Sequence, residues 1–157
     1  MAHMDKYYTL RDTYYPGHFS LGRVVGPIDP EPKVRLRAGE FDVVFECRPE
    51  YFRDDGNSYV SSGSVTNPTD FPCYPLIRIS GSGTITLDGT QFEVMQFQGS
   101  YIDFDCETGN VFDENGAIVP YALHNDNFWK SNNRICIEPG ETMTFSGCQV
   151  KPRWYDM

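Results

Sequence analysis

The chain has 157 residues, which suffices for one domain or one domain with a partial companion, and for a hydrophobic core without metal or disulfide staples. Aromatic residues make up 15% of it beside 14 glycines and 11 prolines, a composition that favours short strands over long helices. The formal net charge of -9, the scattered basic residues and the lack of a long apolar run argue against nucleic acid and membranes as partners.

The first part of the chain is aromatic and irregular. Residues 1–4 have the form of an expression-tag remnant, because a second methionine follows a short cassette-like sequence. The clear strand within residues 5–53 is 41–47, where apolar and polar side chains alternate and predict one buried face. Pro49 should end that strand, since proline cannot donate to a neighbouring strand.

Residues 54–70 are rich in Asp, Gly, Ser and Asn and contain little to bury. The sequence therefore predicts a linker here, between the first part of the chain and a C-terminal domain over residues 71–157.

The segment 72–94 carries the most informative pattern. Asp88-Gly89 is the preferred pair of a two-residue type I′ hairpin turn, which sets Ile85 opposite Phe92 on one apolar face. The alternation around them is typical of an antiparallel sheet that is covered on one side. The preceding Gly81-Ser82-Gly83 predicts a bend or bulge.

Further short strands follow at regular spacing to the end of the chain. After residue 70 we count about seven of them, and no segment shows twelve residues of helical periodicity. The fold class predicted is all-β, with an antiparallel β-sandwich as the C-terminal domain. Trp154 shares the period-two pattern of the last strand and is predicted to plug the core or an edge.

The five cysteines are far apart and form no C-x-x-C pair, so a zinc knuckle is not predicted. Cys47, Cys106 and Cys136 lie in apolar strand patterns, where a reduced cysteine acts as a small hydrophobic residue. Buried thiols in a reducing compartment are the prediction.

Acidic residues are concentrated in one stretch, and a calcium site is one interpretation of it. The carboxylates concerned are Asp103, Asp105, Glu107, Asp113 and Glu114. A helix-loop-helix calcium loop needs glycine at its sixth place, which is Thr108 here, and the flanks are predicted strands. Solvated strand faces and a turn are the favoured interpretation, with a bound cation as the alternative.

No catalytic constellation is recognised. His18 and His124 are the histidines left once residues 1–4 are set aside, and neither accompanies a nucleophile motif. Paired carboxylates of a glycoside hydrolase cannot be identified from spacing alone. We predict a protein that is not an enzyme and has no catalytic residues, no metal ligands and no cofactor.

The best candidate for a contact site is a predicted exposed loop with Asn127, Phe128 and Trp129. Trp129 could stack on a sugar, contact another protein or serve local packing, and the sequence leaves these three alternatives open.

Five motifs occur in order along the second half of the chain. They are residues 67–72 (NPTDFP), 75–89 (PLIRISGSGTITLDG), 101–108 (YIDFDCET), 137–147 (IEPGETMTFSG) and 152–154 (PRW). In order and spacing they resemble the C-terminal domain of the distal tail protein (Dit) family of long-tailed, non-contractile phages and their prophages. Residues 41–49 with Phe52 resemble the closing strand of that family's N-terminal ring (belt) domain.

The resemblance implies a structural role. Members form a hexameric ring at the tail tip, join the tail tube to the host-adsorption apparatus or baseplate, and carry a galectin-like or carbohydrate-module-like C-terminal sandwich. Residues 5–53 would then be the latter, truncated part of the ring domain. The expected partners are further copies of the protein, the tail tube, and a tail-associated lysin or receptor-binding proteins. The expected location is the virion tail tip after synthesis in the bacterial cytoplasm, and the alternative function is a module that binds cell-surface carbohydrate.

Overall fold

The computed structural model describes residues 6–26, 43–61, 63–131 and 133–157. The chain divides into two compact units: the first comprises Met1–Tyr51 with Met157, and the second is Phe52–Asp156. Strands dominate the described residues of both units, which confirms the predicted all-β class. None of the described helices is both long and apolar enough to cross a lipid bilayer.

The described residues of the first unit form the strands β1 Tyr8–Leu10, β2 His18–Val24 and most of β3 Phe45–Arg53, in the order β1-β2-β3. β1 and β2 are antiparallel, with Tyr8 opposite Gly22. A Cβ on Gly22 would overlap the end of the Leu10 side chain, so a larger residue at this buried position requires that side chain to move.

The strand predicted at residues 41–47 is displaced along the chain. Residues 41 and 42 lie outside the described residues, and β3 begins at Phe45 and continues through Pro49 to Arg53. The prediction that Pro49 ends the strand is therefore wrong; a proline removes one donor, which costs at most a single bond of a ladder. The predicted buried face is also wrong in the described part, since Phe45 and Cys47 are both exposed.

The predicted linker belongs to the second unit. Residues 54–70 contain a 3-10 turn, Asp54–Gly56, and the strand β4, Gly63–Thr66. Val65 in β4 is 8% exposed and joins the core. An edge strand that buries one side chain in four has the composition of a loop, which is why the sequence pattern of these residues resembles a linker.

The second unit contains two antiparallel sheets. Besides β4, their strands are β5 Leu76–Ile79, β6 Gly83–Leu87, β7 Thr90–Val94, β8 Ile102–Asp105, β9 Asn110–Asp113, β10 Leu123–His124, β11 Thr142–Ser146 and β12 Gln149–Lys151. A last strand at the end of the chain, β13 Tyr155–Asp156, belongs to neither of these two sheets. One sheet has the order β10-β7-β6-β11-β4 and the other β12-β5-β8-β9. A second 3-10 turn, Pro120–Ala122, precedes β10, and a short helix α1, Asp126–Lys130, follows it.

The hairpin β6–β7 has the predicted register. Ile85 is opposite Phe92, and both side chains are buried. Asp88 and Gly89 have φ angles of 48° and 77°. Positive φ at both central residues is the requirement of a type I′ turn, so the turn prediction is confirmed.

The core lies between the two sheets. Ile77 and Phe104 come from one sheet and Ile85 and Phe92 from the other, and each is at most 2% exposed. The rings of Phe92 and Phe104 meet across the core with their centroids 6.3 Å apart. Trp154 is 5% exposed and belongs to the same core, as its pattern predicted. Two sheets that share one apolar core make the second unit a β-sandwich.

Candidate functional site

The predicted contact residues lie on α1 and not on an open loop. Asn125 caps the helix: its side chain accepts a hydrogen bond from the Phe128 backbone N–H at 2.9 Å. The same side chain donates to the carbonyl oxygen of Gln91 in β7 at 2.7 Å. One asparagine therefore starts the helix and attaches it to the sheet.

Trp129 packs against the core. Its ring is edge-on to Phe128 at 5.0 Å, to Phe104 at 5.6 Å and to Phe92 at 6.4 Å between centroids. Because Phe92 and Phe104 belong to different sheets, Trp129 contacts both layers. It is nevertheless 37% exposed. The packing alternative thus has direct support, while contact with a sugar or a protein stays a prediction.

The three predicted residues do not present one common surface. Phe128 is 8% exposed and belongs to the core, whereas Asn127 is exposed in the first turn of the helix. Neighbouring positions on a helix point in different directions, so adjacency in sequence did not make them a single site.

Two members of the acidic stretch are paired with arginines. Arg78 donates to both oxygens of Asp103, at 2.8 and 2.7 Å, and Arg153 donates to Asp105 at 2.6 Å. Such charge-assisted pairs are the strong ones among protein hydrogen bonds. Within the described residues no three or more metal-ligating side chains are grouped. The stretch contains turns there, as in the favoured interpretation. Asp103 and Asp105, however, are held in ion pairs and are not solvated strand faces, since both side chains are 17% exposed.

Arg78 also lies between two aromatic rings. Its guanidinium carbon is 3.8 Å from the ring centroid of Tyr101 and 4.5 Å from that of Tyr59. The hydrogen bonds to Asp103 raise the pKa of Arg78 above its ordinary value. The pKa of Tyr59 is also raised, mainly because the side chain is partly buried. Sequence reasoning missed this cluster because Tyr59 falls in the predicted linker. One sequence feature could have identified it: Arg78 and Asp103 each alternate with apolar residues along their strands, which predicts that both side chains lie on the outer face of the sheet.

Arg153 is held in an unusual backbone conformation. Its φ angle is 61°, in the left-handed region that residues other than glycine rarely adopt. Its side chain donates to the Tyr74 carbonyl oxygen at 2.7 Å as well as to Asp105. These side-chain contacts offset the local backbone strain at Arg153.

Asn67, which is 1% exposed, is the centre of a second group of hydrogen bonds. Its amide nitrogen donates to the carbonyl oxygens of Phe71 at 2.8 Å and of Ile137 at 2.7 Å. Its side-chain oxygen accepts from the Thr69 backbone and hydroxyl at 2.9 and 2.8 Å. The Asn67 backbone N–H donates to the Glu141 carbonyl oxygen at 2.9 Å. One buried asparagine thus joins residues 67–71 to residues 137–141.

Comparison with known proteins gives one likeness of fold. No family model matches the chain, and no curated protein matches it. Among solved structures, it is similar to the crystal structure of the SPP1 Dit protein (gp 19.1), described as a paradigm of the hub adsorption apparatus in phages that infect Gram-positive bacteria. The TM-score is 0.49 at 16% identity, over 94% of this chain and 64% of that one. A likeness of this degree does not identify what the chain binds.

Proposed function

We propose that the chain is a structural component of a phage or prophage tail tip, a distal tail protein that links the tail tube to the host-adsorption apparatus. The observation that carries the proposal is the position of the five motifs that resemble this family. Asn67 of the first motif bonds to Ile137 and Glu141 of the fourth. Arg153 of the last motif bonds to Asp105 of the third. These four motifs therefore bond to one another within one folded unit.

The nature of these contacts favours a scaffold over an enzyme. The buried amide of Asn67 and the two arginine–aspartate pairs bond to groups of the protein itself. Motifs whose residues stabilise the fold are expected in a structural protein that positions its neighbours. Such a protein needs no catalytic residue and no cofactor. A catalytic site would instead bring nucleophilic side chains and titratable groups with shifted pKa values together in a cleft.

The first unit supports a role in assembly. Its large exposed side chains include Tyr8, Tyr14, Tyr15 and Phe45, which are 46%, 87%, 54% and 45% exposed. Aromatic residues are enriched at protein interfaces. We assign this surface to self-association in a hexameric ring and to the tail tube, and the second unit to the tail-associated lysin or receptor-binding proteins. Nucleic acid and membrane are not among the partners, in keeping with the charge of -9.

Immunogold electron microscopy tests the location. Antibodies raised against this chain should label intact particles at the tail tip and leave the tube and the head unlabelled. Antibodies against a tube protein serve as the control for access along the tail. Label along the whole tube, or an absence of label on intact particles that contain the protein by mass spectrometry, would contradict the proposal.

The second candidate function is recognition of a cell-surface glycan at Trp129. The 37% exposure of that indole favours it. The three aromatic contacts count against it, because they already occupy much of the ring. We therefore keep it second to the structural role.

A further inference from the structure

A cleft of about 720 Å³ opens at the end of the sandwich opposite the β6–β7 turn. Residues 80–82 between β5 and β6, residues 96–99 between β7 and β8, and Asp113, Val119 and Tyr121 line it. The volume is that of an ordinary small-molecule site. The bonds between the family motifs do not explain why this cleft exists, and the predicted contact at Trp129 does not either.

The loops around the cleft are fixed by hydrogen bonds. The Met95 backbone N–H donates to the Ala122 carbonyl oxygen at 2.9 Å. The Ser100 backbone N–H donates to the carboxylate of Glu114 at 3.0 Å. These bonds connect the loop after β7 to the loop after β9 on both sides of residues 96–99. A ligand would thus meet a preformed cleft and would lose little binding free energy to loop ordering.

Four of the polar side chains in the lining are neutral and exposed. Ser80, Ser82, Gln96 and Gln98 are all exposed, and in the described part of the chain none of their side chains has a hydrogen-bonding partner. Hydroxyl and carboxamide groups both donate and accept hydrogen bonds. They match a ligand whose own groups do both, as sugar hydroxyls do.

The lining also has an apolar part. Phe97 and Val119 are half-buried and pack against the core. Tyr121 is 67% exposed, which leaves most of its ring free. An aromatic ring beside hydroxyl-binding groups suits the mixed apolar and polar faces of a sugar ring.

The charge of the cleft disfavours anionic and polycationic ligands. Among the described residues that line it, Asp113 is the one carboxylate, and none is a lysine, arginine or histidine. The whole chain has a net charge of -9. An anionic ligand would meet repulsion without a compensating cation. A polycationic ligand would find one carboxylate, which already accepts hydrogen bonds from two turn amides.

We propose that this cleft binds a neutral saccharide, with Gln96 and Gln98 hydrogen-bonding its hydroxyl groups and the ring of Tyr121 packing on its apolar face. The inference does not rest on the proposed tail function. The protein could belong to a tail and bind no sugar, or bind a sugar and belong to no tail. The labelling experiment above and the binding experiment below distinguish these cases.

Saturation-transfer NMR with the whole chain tests the inference. The probes are glucose, galactose, N-acetylglucosamine, maltose and lactose, with sialic acid as the anionic comparison. We expect transfer to at least one neutral sugar. The double variant Gln96→Ala/Gln98→Ala and the variant Tyr121→Ala should each weaken that binding about tenfold or more, as expected for lost hydrogen bonds and ring contact.

Two matched variants serve as controls. Tyr14→Ala removes another exposed tyrosine and Asn127→Ala another exposed amide, and neither residue lines the cleft. Both should bind as the unaltered chain does. Tryptophan fluorescence during urea unfolding verifies that every variant is folded. The inference is overturned if no neutral sugar binds, if sialic acid alone binds, if the cleft variants retain binding, or if Asn127→Ala abolishes it.

Discussion

At the scale of single residues, Asn67 shows how one side chain can hold a fold together. Its side chain takes part in four hydrogen bonds at a position that is 1% exposed. Buried polar groups are costly when their partners are removed, because they cannot return to water. Asn67 was visible in the sequence as part of a motif, but its role depends on Ile137, which is 70 residues away.

We expect Asn67→Ala to lower the free energy of unfolding of the second unit by about 3 kcal/mol, since it leaves buried carbonyl and N–H groups unpaired. Both tryptophans, Trp129 and Trp154, lie in that unit, so tryptophan fluorescence in urea reports on it selectively. The exposed Asn127→Ala is the control and should change the value by less than about 0.5 kcal/mol. Equal stability of the two variants would refute a central role for Asn67.

At the scale of elements, the β6–β7 hairpin is determined locally. The turn Asp88-Gly89 sets the register, and the register sends Ile85 and Phe92 into the core. Few other elements are determined in this way. β4 has no turn signal and one buried side chain, so its place beside β11 comes from pairing with a strand far along the chain.

Two glycine variants test the hairpin. Gly89 has a φ of 77°, so Gly89→Ala should destabilise the second unit by about 1 kcal/mol through backbone strain alone. Gly81→Ala is the matched control: a Cβ there meets nothing within 4 Å and its φ is not positive, so stability should hardly change. Urea midpoints of both variants make the comparison. A loss for Gly81→Ala as large as for Gly89→Ala would argue against the turn as the source.

At the scale of the whole molecule, the two units differ in how their aromatic residues are used. In the second unit Phe92, Phe104 and Trp154 are buried, whereas in the first unit Tyr8 and Tyr14 are exposed. A monomeric protein has little reason to place several large aromatic side chains on one small unit's surface. That contrast is the physical argument for assembly through the first unit.

Native mass spectrometry of the protein measures that assembly, and six copies are the state expected from the proposed function. Tyr14→Arg should weaken it, because a charge at an interface must be desolvated without a partner. Tyr121→Arg places the same charge on an exposed tyrosine of the second unit and should leave the six-copy state intact. A monomer at all concentrations, or equal effects of both variants, would count against the ring.

The sequence by itself determined the all-β class, the type I′ hairpin and its register, and the core position of Trp154. These follow from turn chemistry and period-two alternation, which act between near neighbours. Only the tertiary structure decided that β4 is a strand, that Phe45 is exposed and that Trp129 packs on both sheets. It also decided that Asp103 and Asp105 pair with arginines 25 and 48 residues away. Such contacts depend on which strands become neighbours, and local patterning does not encode that choice.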